Sequence, residues 1–475
     1  MNLPNMLDAK KRTKNKVNIY YDSYHIDEDM INMGKGKTYY IETYGCQMNV
    51  HDTENIKALL EEMNFEEIKE MEKADLIILN TCAIRENAHN KVFGMLGRIK
   101  HLKETKKDLI TMLCGCMAQE ESVATRLKEK YKWVDIVFGT HNINELPSLL
   151  ETHFKTNKQV LNVYSKEGEV FENIPVKRDS KYKAWINIMY GCDKFCTYCI
   201  VPYTRGKQRS RLKEDIILEV REALNNGYKE VTLLGQNVNA YGKDLDNGDN
   251  MAVLLREVAN TNIPRIRFIT SHPWDFTDEM IEVIKEYPNI MPYIHLPIQS
   301  GSNKILKLMN RRYTKEEYIS LFNKIKREIP NASITTDIIV GFPGETEEDF
   351  KETLDIVDTL KFDLAYTFNY SKRESTPAAL LPNQVPEEVK FDRLHKLNEL
   401  VNKYALLNNQ KYQDKVVNVL LEEKSDKEGY LSGYTDTNKL VNVKAPLDYL
   451  GLIVPVKITS VKTWSLDGEV INDRK

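Results

Sequence analysis

Gly191-Cys192-Asp193-Lys194-Phe195-Cys196-Thr197-Tyr198-Cys199 sets three cysteines in a C-x3-C-x2-C spacing, and the reading of the chain turns on it. Three thiolates on one short loop can hold three irons of a cubic iron–sulfur cluster and leave the fourth iron open to a small ligand. The same triplet could form a zinc loop closed by a distant histidine. Zinc loops favour paired C-x2-C units, and no second C-x2-C or H-x3-H occurs in the sequence. Spacing alone leaves both metals open.

The residues around the triplet place it in a fold. Trp185 to Tyr190 (WINIMY) is a short apolar, β-prone run, so the cysteines begin where a strand ends, on the way to a helical stretch at Glu214–Asn226. Strand-like runs recur at Val231–Leu234, Ile266–Thr270, Tyr293–Pro297, Ile334–Val340 and Leu364–Asn369, each separated from the next by an amphipathic stretch. Six β/α units in a row predict a parallel sheet curled into a partial barrel, with its chemistry on loops at the carboxyl ends of the strands.

Upstream, Thr38–Thr43, Leu76–Asn80, Leu109–Leu113 and Val134–Phe138 read as buried parallel strands. Helical stretches near 51–64, 86–104, 119–130 and 142–150 complete a doubly wound α/β domain. Cys46, Cys82 and Cys116 each follow one of the first three strands, and such loops gather at one sheet edge. They are either three ligands that meet or three unrelated core cysteines. Cys114 lies on a strand end and reads as a packing residue. Downstream, Pro386–Gln413 reads as a connecting helix. Short runs at Val416–Glu422, Tyr430–Tyr434, Leu440–Val443 and Val454–Ser460 predict a small antiparallel barrel.

Composition bounds the class. At 475 residues, with 41% apolar and 29% charged side chains and a mean hydropathy of −0.49, the chain is expected to fold as two or three water-soluble domains. It carries no run of membrane-spanning length and no signal-peptide core, so the expected location is the cytoplasm. Seven cysteines without a secretion signal argue for reduced thiols rather than a disulfide framework. A net charge of −3 does not mark a nucleic-acid binder, so RNA contacts must be local. Lys10, Lys11, Arg12, Lys14 and Lys16 read as a solvated tail. The basic run TRGKQRSR, with Arg205, Lys207, Arg209 and Arg211, is undecided between a local RNA contact and a solvated stretch.

Motifs along nearly the whole chain resemble one family. TYGCQMN (43–49), NTCAIRENAHNKVFGMLG (80–97) and GCMAQ (115–119) precede GCDKFCTYCIVPYTRGKQRSR, LLGQNVNAYG, IRFITSHPWDF, HLPIQSGS, DIIVGFPGET and TFNYSKRESTPAA in a fixed order. This series is similar to the methylthiotransferases of the radical S-adenosylmethionine (SAM) superfamily. The resemblance implies a basic flexible leader over 1–35, an N-terminal domain with an auxiliary [4Fe–4S] cluster over 36–154, a (β/α)6 radical SAM core over 178–408, and a TRAM-like RNA-binding β-barrel over 411–475. It implies two [4Fe–4S] clusters, one on Cys192, Cys196 and Cys199, the other on Cys46, Cys82 and Cys116, with SAM as radical source and methyl donor.

What the family implies for function is equally specific. TYGCQMN followed by NTCAIRENA points to the branch that adds a methylthio group to carbon 2 of N6-(dimethylallyl)adenosine beside the anticodon of tRNA. Sister branches act on threonylcarbamoyl-adenosine or on a ribosomal-protein aspartate, and a non-enzymatic zinc or RNA scaffold is the remaining alternative. A radical suits the target, because the hydrogen on carbon 2 yields neither to ordinary bases nor to nucleophilic displacement. The tRNA anticodon stem-loop, a flavodoxin- or ferredoxin-type electron donor and a sulfur donor are the expected partners, with no membrane. Loops at the strand ends nominate Tyr198, Gly235, Gln236, Asn237, Ser271, His272, Gln299, Gly341 and Gly344 for SAM. His272 and His295, as strand-end histidines, read as satisfied hydrogen-bonding residues before catalytic acids. Tyr203, Arg205 and Arg209 are the expected RNA-facing residues. Residues 411–475 hold ten basic and ten acidic side chains, so the terminal barrel is not globally basic, and it either binds RNA locally or braces the core.

Overall fold

The computed structural model describes residues 18–83, 86–164, 168–374 and 376–471. Apolar runs in the first third form the parallel strands β1 (Thr38–Thr43), β2 (Leu76–Thr81), β3 (Ile110–Gly115), β4 (Ile136–Phe138) and β5 (Val160–Asn162). They lie side by side in chain order, with Glu66–Glu67 on the outer edge of β1. Alternate residues serve opposite faces. Leu76 and Ile78 pack beneath α1 (Gln47–Glu62) and α4 (Leu146–Thr156), whereas Ile77 and Leu79 pack beneath α2 (Glu86–Thr105) and α3 (Glu121–Lys130). The domain is doubly wound.

Two expectations change here. A domain end at 154 would cut off β5, whose residues pair with Ile136–Phe138. Nor is 1–35 wholly a leader. Tyr20–Ser23 pairs in parallel with Glu169–Glu172, and Tyr24 and Met30 are buried. The aromatic Tyr24 joins the core under α1, so apolar burial outweighs the polar composition around it. Lys10, Lys11, Arg12, Lys14 and Lys16 lie outside the described residues.

The central barrel comprises β6 (Lys183–Asn187), β7 (Glu230–Leu234), β8 (Arg265–Phe268), β9 (Tyr293–His295), β10 (Ser333–Val340) and β11 (Leu364–Asn369). All neighbouring pairs are parallel in two three-stranded sheets, joined by a bridge between Ile266 and Ile290. Helices α5 (Lys213–Asn225), α6 (Met251–Ala259), α7 (Asp278–Glu286), α8 (Lys315–Glu328), α9 (Glu347–Leu360) and α10 (Glu387–Gln410) cover its outside. Thr314 and Thr346 open α8 and α9 with capping boxes, each satisfying two otherwise orphaned donors.

The C-terminal barrel closes through β12 (Val416–Lys424), β13 (Tyr430–Thr435), β14 (Leu440–Lys444), β15 (Ile453–Val461) and β16 (Leu466–Val470). β16, Leu-Asp-Gly-Glu-Val, is absent from the sequence reading because it lacks an apolar run. An odd number of strands cannot close with every pair antiparallel, and β14 and β16 are the parallel pair. The barrel docks on the amino ends of β6–β8. Arg265 donates to the Tyr434 and Asn418 carbonyls at 2.8 and 2.9 Å, and Lys183 pairs with Glu422 at 2.6 Å. Among the described residues no helix is long and apolar enough to cross a membrane.

α1 also packs against β6, where Asn187 Nδ2 lies 3.0 Å from His51 Nδ1. Burial pushes the His51 pKa down to about 3; Arg178, Arg211 and Arg205 add to this, and Glu219 opposes it. The unfolded chain therefore binds a proton at His51 below pH 6.5 that the folded chain refuses. This contribution to stability is complete above about pH 6.5 and is lost as pH falls, by up to ~1.4 kcal/mol per pH unit. Denaturant titrations of the metal-free protein between pH 6.5 and 4 should show a shallower acid dependence in His51→Gln. An unchanged slope would contradict the assignment.

Candidate active site: two cysteine sets at one interface

Gly191 opens the cluster loop at φ +72°, and a Cβ there would stand 2.2 Å from the Lys207 carbonyl oxygen, so only glycine fits. The loop is clamped by the segment Leu308–Tyr313. Thr197 donates through its backbone to the Met309 carbonyl at 3.1 Å and through Oγ1 to Leu308 at 2.8 Å. Asn310 Nδ2 holds the Phe195 carbonyl at 3.0 Å. Arg311, buried, donates to Cys196 Sγ at 3.4 Å and to the Pro297 carbonyl at 2.8 Å. Cys192, Cys196 and Cys199 are mutual electrostatic neighbours. Burial pushes the Cys199 thiol up to about 12, so a thiolate there needs bound positive charge to form.

Cys46, Cys82 and Cys116 follow β1, β2 and β3, and they converge. The Cys116 thiol, pushed up to about 12 by burial, is flanked by Cys82 and Cys46. Asn49 and Asn80 lock the loops together. Asn49 Nδ2 reaches Asn80 Oδ1 at 3.2 Å and the Thr81 carbonyl at 3.0 Å, while Asn80 Nδ2 returns to the Asn49 carbonyl at 2.8 Å. Gly115 sits at φ +89° with no room for a side chain against Asn80 and Thr81. Cys114 is buried among the apolar side chains beneath α1 and α4, as expected of a packing residue.

The two sets face each other across Tyr203. Its ring shares a buried cluster with Cys116, Ala83 and Ile200, with Phe195 packed beside it, and its hydroxyl is a neighbour of Cys199. Arg205 Nε donates to Cys116 Sγ at 3.2 Å, and its guanidinium is paired with Asp52 of α1. Arg209 donates to the Lys207 carbonyl at 3.0 Å, with its guanidinium 5.7 Å from the Tyr190 ring centre. Arg211 binds Glu172 and Glu219. Tyr203, Arg205 and Arg209 are thus at most 6% exposed and do not form an outward RNA-facing surface. Asp52 draws Arg205, and Glu172 and Glu219 draw Arg211, into the domain interface, and no local pattern announces Asp52 or Glu172 as partners.

The residues nominated for SAM surround the carboxyl ends of β7–β10. Gln236 Oε1, Asn237 Oδ1 and Ser271 Oγ are enclosed and have no hydrogen-bond partner among the described residues. Buried polar atoms left open in this way are expected where a polar ligand binds. Thr270 and Gln299 hold φ of +68° and +74° without being glycine, strain of the kind that collects at binding sites. His272 accepts from Trp274 N at 3.3 Å, and burial holds its ring neutral. Gly235 and Gly341 answer to packing instead: a Cβ would meet Met189 at 2.6 Å or Lys390 at 2.3 Å. Gly344 is required by its φ of +83°. Tyr198 packs edge-on to Phe342 with ring centres 6.5 Å apart.

Sequence reasoning passed over Arg311, which no motif marks, and Asp275, which stands within SHPWDF. The Asp275 side chain is fully enclosed and binds Lys194 of the cluster loop, Lys243 and, at 2.7 Å, Asn237 Nδ2. It ties the loop to the end of β7. Because Lys194 and Lys243 are partly solvated, Asp275→Ala should cost about 1–3 kcal/mol rather than the larger penalty of a fully buried pair. Thermal unfolding of the variant, with Asp275→Asn retaining part of the loss-free geometry, checks this; wild-type stability in both would contradict it.

The residues present suit iron–sulfur clusters. Each trio supplies neighbouring thiols of the kind that a multi-iron core takes. Comparisons with known proteins agree with this arrangement. The chain matches the uncharacterized protein family UPF0004 over residues 38–139, the radical SAM superfamily over 186–357 and the TRAM domain over 410–471. The tRNA-2-methylthio-N(6)-dimethylallyladenosine synthase of Shouchella clausii is 56% identical over 470 residues, spanning 99% of this chain and 90% of that protein. Its counterpart in Halalkalibacterium halodurans is 54% identical, spanning 98% and 87%. Among solved structures, the radical S-adenosylmethionine methyltransferase TsrM from Kitasatospora setae aligns with a TM-score of 0.51 at 13% identity. The match spans 72% of this chain and 74% of that one, a likeness of fold alone. The chain belongs to the family of tRNA-2-methylthio-N(6)-dimethylallyladenosine synthases, within the radical SAM superfamily.

Proposed function

We propose that this protein is the radical SAM methylthiotransferase that converts N6-(dimethylallyl)adenosine, next to the tRNA anticodon, into its 2-methylthio derivative. The observation that carries this reading is the meeting of two cysteine trios across Tyr203, one on the barrel loop and one on the N-terminal sheet edge. Relatives more than half identical over nearly the full chain carry the dimethylallyladenosine name, which favours this substrate over threonylcarbamoyl-adenosine or a protein aspartate.

In this reading Cys192, Cys196 and Cys199 hold one [4Fe–4S] cluster, and Cys46, Cys82 and Cys116 hold the second. A cluster with one open iron supplies, when bound, the single electron that splits SAM to a carbon radical able to attack an unactivated ring position. The chain's own residues do the rest. Arg311 and Arg205 each donate to a cluster thiol, Cys196 and Cys116, and so offset negative charge at the two centres. Gln236, Asn237 and Ser271 present open polar atoms to SAM at the barrel mouth. Asp275 holds Lys194 and Asn237 so that loop and strand ends keep one geometry. The C-terminal barrel and core together receive the stem-loop. A flavodoxin- or ferredoxin-type protein supplies the electron, and a separate sulfur donor supplies the sulfur.

Anaerobic reconstitution should load about eight irons per chain, falling to about four when either trio is replaced by alanine. Incubation with SAM, reductant and prenylated tRNA should yield adenosine heavier by one methylthio group in place of hydrogen, read by nucleoside mass analysis. Zinc without labile sulfide, or no mass change with fully loaded protein, would overturn the reading.

A further inference from the structure

The inner wall of the barrel is unlike a packed core. In β9, β10 and β11 the helix-covered face carries the buried aliphatics Ile294, Ile334, Ile338, Val340 and Ala365, together with Thr336 and with Thr367, which donates to Asn398 of α10. Strand register assigns the opposite set to the lumen: His295 is paired with Thr335, Asp337 with Tyr366, and Ile339 with Phe368. A closed eight-stranded barrel fills such positions with branched aliphatic side chains. Here, Ile339 apart, they are aromatic and polar.

Their exposure is the telling observation. Tyr366 and Phe368, two residues apart on one face of β11, remain 43% and 42% exposed, although Ala365 between the strands and α10 is buried. The Tyr366 ring meets the His295 ring edge-on at 5.8 Å. His295 is itself fixed, with Nδ1 2.9 Å from Thr335 Oγ1 and Nε2 3.4 Å from Asp337. On the facing sheet Arg267 pairs with Glu230 at 3.0 Å and lies 5.5 Å from the centre of the Tyr293 ring. The polar members of this wall are therefore held in place, while two large apolar surfaces are left open. Large apolar surface kept from the core and lining a concavity marks a ligand site.

We propose that Tyr366 and Phe368 form the wall against which the dimethylallyl tail of the target adenosine packs, so that these two rings set the enzyme's preference for prenylated RNA. This rests on the proposed function and assigns the discriminating residues within it. The tail is a branched five-carbon chain, too apolar to be recognised by hydrogen bonds. Only contact area can distinguish it from hydrogen. Phe368 lies at the carboxyl end of β11, two residues before the buried Tyr370 that closes the strand onto Val340, and so stands on the side where SAM is expected. Tyr366 lies one step deeper. A base presenting carbon 2 to the barrel mouth would lay its N6 substituent along this wall.

The test compares binding of two anticodon stem-loops, one with N6-(dimethylallyl)adenosine and one with plain adenosine, to reconstituted holoenzyme by fluorescence anisotropy. Burial of the tail predicts that wild type prefers the prenylated RNA by about tenfold or more. Tyr366→Ala/Phe368→Ala should reduce that ratio to about twofold or less. Phe368→Leu, which keeps apolar area, should retain most of it. Iron content and circular dichroism matching wild type establish that the variants are folded and loaded. A preference maintained in the double variant would overturn the proposal while leaving the function intact, provided wild type still forms the methylthio product. Absence of any preference in a wild type that makes product would also overturn it. Absence of product from wild type would instead strike at the function itself.

Discussion

A single buried guanidinium governs how the two halves of the catalytic region meet. Arg205 stems from the segment directly after the barrel cysteines, yet its partners, Asp52 and Cys116, belong to the N-terminal domain. A charge this enclosed is tolerable only when paired, so the domains cannot separate without stranding it. Thr140 Oγ1 on the Thr204 carbonyl at 2.7 Å and the Arg211 pairs to Glu172 and Glu219 fasten the same seam. The consequence is chemical. Two cysteine sets from separate folding units come to one interface, with Tyr203 between them.

Around that seam each domain contributes what its topology makes cheap. A doubly wound parallel sheet brings consecutive strand ends to one edge, which is why Cys46, Cys82 and Cys116 meet although they are far apart in sequence. The two three-stranded sheets of the central barrel turn Tyr366, Phe368 and His295 to the face opposite their helices, where the proposed contact with the substituent would be made. The terminal barrel seals the amino end of the central barrel through Arg265, Lys183 and Glu422. Bracing and RNA contact are therefore compatible duties for it.

The triplet Cys192, Cys196 and Cys199 stands out because its spacing is local, and the strands because their apolar runs have a period, whereas the sequence by itself leaves open whether Cys46, Cys82 and Cys116 meet. Strand ends nominate Asn237, Ser271 and Gln299, and the fold brings all three to the carboxyl ends of the barrel strands. What resisted reading was nonlocal. The arginines after the triplet look like an RNA patch until Asp52, Glu172 and Glu219 are brought beside them. Gly235 and Gly341 look like ligand-approach glycines until Met189 and Lys390 occupy the space. Tyr24 looked like part of a tail, and β16 lacks the apolar pattern that would announce a strand. The alternation in LAYTFN signals a strand with two faces, but which face opens to the lumen depends on the register with β10.

If Arg205 holds both trios at one interface, clusters bound to them as proposed must be magnetic neighbours. Reduced, reconstituted protein examined by electron paramagnetic resonance should show spin–spin coupling or enhanced relaxation between two [4Fe–4S] centres, and the effect should vanish when Cys46, Cys82 and Cys116 are replaced. Two fully loaded but magnetically isolated centres would contradict the account.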